Sequence, residues 1–84
     1  PGDPGDYELI IDIRRFEIDA TSDLARVELA ARIIGGKSGK GVAGKIFNST
    51  APAPTTANGA AAAALDKALA DAMRAIVGWT AKQI

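Results

Sequence analysis

The chain has 84 residues, with ten basic side chains balanced by ten acidic ones, and it contains neither histidine nor cysteine. It therefore has no imidazole base, no thiol nucleophile, no disulfide and no zinc site of the usual nitrogen and sulfur type. The balanced charge argues against a dedicated nucleic-acid-binding protein, which carries a basic excess. The length sets a ceiling of one domain, and no stretch approaches the roughly 18 consecutive apolar residues of a membrane-spanning helix.

Alanine dominates the apolar part of the composition. It supplies 18 residues, whereas isoleucine, leucine, valine and phenylalanine together supply 19, which indicates a folded chain with a small core. The charge is balanced only as a total, because residues 1–34 carry eight acids and four bases while residues 35–84 carry two acids and six bases. This asymmetry either orients the two halves of the chain against each other or complements a neighbouring subunit, or else it reflects ordinary variation between solvated faces.

The first residues differ in character from the rest. Residues 1–6 are rich in proline, glycine and aspartate, which predicts a flexible N-terminal segment with nothing to bury. They contain no initiator methionine and none of the basic or apolar regions of a signal peptide. We therefore expect an excised or processed piece of a longer protein, with residues 7–84 as a single α+β domain.

The first predicted strand covers residues 7–19. Its apolar residues alternate up to Ile13, after which the alternation slips by one residue at Arg14 and resumes with Phe16 and Ile18. A slip of one residue in a period of two predicts a β-bulge or a sharp bend, because this restores the apolar side chains to the core face.

Two further strands are predicted. A polar turn at residues 20–23 leads into residues 24–34, whose uninterrupted alternation indicates a half-buried antiparallel strand. A glycine-rich connection over residues 35–41 closes a second hairpin. Residues 42–51 form the third strand, with apolar residues on both faces, so that its inward face stays undecided.

A helix follows the sheet. Residues 52–56 contain two prolines and end the third strand, and the alanine-rich segment after them predicts a helix over about 58–79. Asp71 and Arg74 are spaced to form an ion pair, and Trp79 is interpreted as a plug at the edge of the core. The apolar stripe has three- and four-residue spacings and comprises Leu65, Leu69, Ala72, Met73, Ile76 and Thr80.

These elements predict an α+β fold. It consists of a three-stranded antiparallel β-meander followed by one long C-terminal helix packed on the sheet. At 1.5 Å per residue the helix would be roughly 33 Å long, which is enough to lie across three strands.

The glycine-rich connection nearly matches two nucleotide-binding patterns. Residues 39–44 fit the letters GxGxxG, but they open a strand instead of joining a strand to a helix. The P-loop register fails because Ile34 and Gly41 stand where glycine and serine or threonine are required. Lys37 and Lys40 remain, either as contacts for an anion such as a lipid headgroup or as solvated residues of a hairpin tip.

The candidate partner- or ligand-contact residues are therefore Arg14, Arg15, Lys37 and Lys40. No catalytic residue, cofactor or metal is predicted. An enzyme is disfavoured because the residue types that tune proton transfer near neutral pH are missing.

Four segments in chain order carry a family resemblance. They are DYEL at 6–9 with DIRRFE at 12–17, ARVELAARII at 25–34, KIF at 45–47 with Pro52, and ALDKAL at 64–69 with IVGW at 76–79. Together they resemble the PqiC-like family of ABC-type transport auxiliary lipoproteins along nearly the whole chain. The resemblance places these residues in the C-terminal half of a larger α/β family domain.

The resemblance implies a function and a location. It implies a non-enzymatic accessory lipoprotein of an ABC/MCE-type envelope lipid transport system, in the periplasm and anchored to the outer membrane in the parent protein. The implied partners are an MCE-domain protein and the ABC permease and ATPase of the same system, with no nucleic acid. The lipid-anchor cysteine of the family is absent from these 84 residues.

Two alternatives stay open. One is a small lipid- or ligand-binding module with a cavity between helix and sheet, lined by Leu65, Leu69, Met73 and Ile76. The other is an oligomerisation domain with no transport role, because an open sheet edge can pair with another copy of the chain.

Overall fold

A computed structural model describes residues 7–35, 41–54 and 59–83. Its elements are β1 (Tyr7–Asp19), β2 (Leu24–Gly35), β3 (Gly41–Pro52) and α1 (Ala60–Gln83). The strands form one antiparallel sheet in the order β1-β2-β3, and α1 packs on one face of it. The predicted α+β fold, a meander followed by a C-terminal helix, is confirmed.

β1 contains the irregularity that its sequence predicts. Its pairing with β2 shifts register between Ile13 and Arg15. Arg14 is the extra residue of this β-bulge, and the shift returns Phe16 and Ile18 to the face that Ile13 occupies. The break in alternation therefore keeps the apolar side chains before and after the bulge on one side of the sheet, with Ile10, opposite Arg32, as the exception.

Asp19 organises the turn between β1 and β2. Its Oδ1 accepts hydrogen bonds from the backbone amides of Thr21 (3.0 Å) and Ser22 (3.3 Å). Asp23 completes the turn with a φ of 55°, in the left-handed region that aspartate tolerates better than most side chains. The carbonyl oxygen of Asp23 accepts a hydrogen bond from the Ala53 amide at 2.8 Å, which ties the segment after β3 to the first hairpin.

The core is built on β2, the central strand. Its inward-facing residues are at most 1% exposed, namely Ala25, Val27, Leu29, Ala31 and Ile33. β3 adds Phe47 and Ala51 from the same face, while Ile46 on the other face is 44% exposed. The inward face of β3, which its sequence leaves undecided, is therefore the one that carries Phe47.

α1 packs on the sheet through small side chains. Its buried residues are Ala64, Ala68, Ala72 and Ile76. Leu65 and Leu69 are half-buried beside this row, and Met73 is 38% exposed, so the predicted placement of Met73 in the buried stripe is wrong. Alanine lets the helix backbone approach the sheet closely, and close-packed interiors favour the orientation that leaves no gap.

α1 is also longer than the predicted helix. Gly59, with a φ of 76°, precedes its first residue, Ala60, and the helix continues through Gly78 to Gln83. A single glycine inside a helix costs only about 1 kcal/mol relative to alanine, which does not end a helix that tertiary contacts hold. The 24 residues of α1 make it roughly 36 Å long.

Candidate partner-contact surface

The register of the sheet separates a face packed against α1 from a face that carries charged side chains. The ion pairs on the charged face are Arg14–Glu28 (3.0 Å), Arg15–Glu17 (3.7 Å) and Arg26–Asp19 (3.2 Å). All of these side chains are at least partly exposed, and ion pairs of this kind add little to stability. Their main consequence is a hydrophilic surface on this side of β1 and β2.

The two predicted contact residues of β1 lie at its bulge. Arg14 pairs with Glu28 of β2 and keeps 57% of its side chain exposed, while Arg15 pairs with Glu17 and keeps 51% exposed. A guanidinium group has five N–H donors and a single carboxylate engages at most two of them well. Both groups therefore retain donors for a further acidic partner. Lys37 and Lys40 lie outside the described residues.

The apolar face of β1 is largely uncovered. We call its exposed members the β1 strip: Tyr7 (53% exposed), Leu9 (40%), Ile13 (66%) and Phe16 (49%). Their cross-strand neighbours are inward-facing positions of β2, so the strip lies on the face that α1 packs on. However, α1 lies mainly over β2 and β3. Alternation in the sequence identifies the apolar face of a strand but not what covers it, so the exposure of the strip carries no signal in the sequence.

At the opposite edge of the sheet, Phe47 of β3 packs against Trp79 of α1. The ring centroids of Phe47 and Trp79 are 5.5 Å apart with an interplanar angle of 70°, an edge-to-face contact. Lys45 Nζ lies 5.3 Å from the centroid of the Phe47 ring, within cation–π distance. Trp79 is partly buried and packs against the buried core residues of the sheet and α1, which confirms the predicted packing role at the edge of the core.

Asp19 has a pKa below the ordinary aspartate value. The hydrogen bond from the Ser22 side chain lowers the pKa most, and hydrogen bonds from Arg26 and from the Thr21 and Ser22 amides lower it further against a partial desolvation. All of these partners belong to the turn and the start of β2. The shift therefore reflects a structural role in the hairpin.

Asp71 on α1 also has a lowered pKa. The largest cause is the hydrogen bond from Lys67, whose Nζ lies 3.2 Å from Oδ2, and the charges of Lys67 and Arg74 lower the pKa further although desolvation opposes them. The predicted pair of Asp71 with Arg74 is present. A lowered pKa keeps both aspartates ionised at neutral pH, which is unlike a carboxyl group tuned for proton transfer.

Metal-binding clusters and membrane-spanning helices are both absent from residues 7–35, 41–54 and 59–83. These residues contain no cluster of three or more acidic side chains placed to hold a metal ion. No helix within the same ranges combines the length and apolarity that crossing a membrane requires.

Together, the described residues form a small α+β domain whose accessible features include an apolar strip, a pair of arginines and an ion-paired sheet face. The family model for the ABC-type transport auxiliary lipoprotein component matches residues 1–77. The chain belongs to this family, as its sequence resemblance predicts.

Two relatives describe how the chain relates to longer proteins. The uncharacterized protein bll6063 of Bradyrhizobium diazoefficiens is 44% identical over 77 residues, which make up 89% of this chain and 20% of that protein. The crystal structure of protein XCC0632 from Xanthomonas campestris, assigned to the family DUF330, is 37% identical with a TM-score of 0.83. That match covers 93% of this chain and 47% of the Xanthomonas chain, so these residues span less than half the length of either relative.

Proposed function

We propose that the protein is a non-enzymatic periplasmic accessory component of an ABC/MCE-type envelope lipid transport system. Its membership of the transport auxiliary lipoprotein family, matched over residues 1–77, is the observation that carries this proposal. Its partners are an MCE-domain protein and the ABC permease and ATPase of the same system. In the parent protein an N-terminal lipid anchor holds the domain at the outer membrane.

The surface chemistry supports binding to proteins. Arginine is among the residue types most enriched where proteins contact one another, and here Arg14 and Arg15 are adjacent in the chain and about half exposed. By contrast, the helix residues that a lipid cavity would need are used in packing. Ile76 is fully buried, and Leu65 and Leu69 pack against the core cluster. This arrangement favours an accessory protein over a lipid-binding module.

Affinity capture of the parent lipoprotein from membranes tests the proposal. We expect the MCE-domain protein encoded in the same operon to be recovered with it, and deletion of the gene to make the envelope defective in lipid transport. Failure to recover any component of the transporter, together with a normal envelope in the deletion strain, would rule the proposal out.

A charge reversal at the bulge tests the contact residues. We expect Arg14→Glu to weaken capture of the MCE-domain protein several-fold and to weaken its dependence on salt, because an exposed interface charge acts mainly through attraction at encounter. Arg74→Glu is the matched control, since Arg74 is a similarly exposed arginine that pairs with a carboxylate but lies on α1. Equal losses for the two variants would remove Arg14 from the interface.

A further inference from the structure

The β1 strip is the largest mismatch between side-chain chemistry and environment within the described residues. Its four side chains are uncharged and between 40% and 66% exposed. The half-buried Ile11 lies between Leu9 and Ile13 on the same face, and same-face neighbours on a strand lie only about 7 Å apart, so the apolar band runs from Tyr7 to Ile13 and continues with Phe16 after the bulge. The charged side of the same strand carries ion pairs and is readily hydrated. A folded protein rarely exposes a contiguous apolar band without a binding or packing purpose.

We infer that the β1 strip is an intramolecular packing surface, covered by the remainder of the family domain in a polypeptide that contains it. The solved Xanthomonas relative has the same fold over these residues and more than as much chain again, since 93% of this chain matches 47% of that one. The occupant that fits the strip is an element with an aliphatic or aromatic face lying beside α1 over β1. This inference does not depend on the proposed transport function.

A second copy of the chain fits the edge of β1 poorly in the register that aligns the whole strip with itself. In an antiparallel pair, directly opposed residues point to the same face. A two-fold pairing of β1 that sets Leu9 opposite Phe16 also sets Glu8 opposite Glu17, and like charges in that position are destabilising. The same pairing opposes Asp12 to Ile13, which point to different faces, so the bulge prevents a continuous ladder. In this register the bulge and the acidic residues thus disfavour edge-to-edge self-association.

Cysteine labelling tests the inference directly, because the chain has no cysteine of its own. Ile13→Cys places a thiol in the strip, and Val77→Cys is a matched control at an equally exposed aliphatic position on α1 (66% and 65% exposed). Each variant is prepared as the 84-residue chain and as the polypeptide that includes the remainder of the family domain, with any further cysteines replaced by serine. The rate of reaction with a maleimide is measured under native conditions, and light scattering gives the mass of each sample.

In the 84-residue chain we expect both thiols to react rapidly in a monomer. In the longer polypeptide we expect the thiol at position 13 to react at least roughly ten-fold more slowly, because reaction then requires local opening, while the thiol at position 77 keeps its rate. Equal rates at position 13 in both polypeptides would overturn the inference. So would equal slowing at the two positions, or a slow reaction at position 13 in an 84-residue dimer, which would assign the strip to a second copy.

Discussion

β1 and β2 have nearly the same alternation of apolar and polar residues but occupy different environments. Leu29 of β2 is 1% exposed, whereas Leu9 of β1, on the same face of the sheet, is 40% exposed. The difference comes from position: β2 is flanked by strands on both sides and lies under α1, while β1 has one neighbour among the described strands and little helix above it. The alternation of a strand therefore shows which side chains share a face, and the elements packed around the strand determine how much those side chains contribute to the free energy of unfolding.

The largest effect expected from this comparison is at Leu29. Leu29→Ala removes a fully buried side chain between β1, β3 and α1, and we expect it to lower the free energy of unfolding by about 3 kcal/mol through lost transfer energy and the resulting cavity. Urea unfolding followed by circular dichroism measures the change. A loss below about 1 kcal/mol would mean that the core around β2 is not packed as tightly as its burial indicates.

The close approach of α1 to β2 should give the next largest effect. Ala68 is fully buried in the helix–sheet interface, so Ala68→Leu must displace α1 or strain its neighbours, and we expect a loss of about 2 kcal/mol. Ala63→Leu is the control, because Ala63 is exposed on the same helix and the two residue types have similar helix propensity. Thermal unfolding of both variants separates overpacking from propensity, and equal midpoints would contradict the observed orientation of α1.

Much of this fold could be predicted from local patterns. The bulge of β1 could be predicted because a bulge is the simplest way for a strand to accommodate a one-residue slip in its alternation near Arg14. The orientation of α1 was predicted only in part: the predicted stripe includes the buried Ala72 and Ile76, but leucine and alanine rows run side by side along the helix and hydrophobicity alone favours the leucine row. The helix instead presents Ala64, Ala68 and Ala72, since the distance between helix and sheet decides which row fits.

The candidate surface was only partly predictable. Arg14 and Arg15 stand out in sequence because two arginines interrupt an apolar alternation, and the structure places both at the exposed bulge. The β1 strip gave no such signal, because Leu9 and Ile13 look like ordinary core residues until the position of α1 is known. Whether an apolar strand face is exposed depends on which elements pack over it, so the residues of the strand alone do not predict that exposure.

A smaller effect is expected when the truncation is made in β1. Leu9→Ala is the same chemical change as Leu29→Ala at a partly exposed position, and in the 84-residue chain we expect it to cost no more than about 1 kcal/mol. In a longer polypeptide whose additional residues cover the strip as inferred above, the cost should rise toward that of Leu29→Ala. Urea unfolding of both variants in both polypeptides gives the comparison, and a cost that is the same in the short and long forms would argue that Leu9 stays uncovered.

The smallest effect concerns the turn that joins the two strands. Asp19→Asn keeps an oxygen that can accept the hydrogen bonds of the turn amides but removes the charge that faces Arg26. Because the pKa of Asp19 is lowered in the folded state, its charge stabilises the fold at pH values above the unfolded aspartate pKa, near 3.9. That contribution decreases as the pH falls through the lower, folded-state pKa.

We therefore expect Asp19→Asn to be slightly less stable than the native chain at neutral pH and to approach it once the pH has fallen below the lowered, folded-state pKa of Asp19. Comparing the urea midpoints of the two proteins across this range isolates Asp19, since the other carboxyl groups titrate in both. Asp66→Asn makes the same chemical change at an exposed helix position outside this turn and is the matched control. A gap for Asp19→Asn that widened on acidification would have the wrong sign for a lowered pKa, and the ionised carboxylate would then not be what stabilises the connection between β1 and β2.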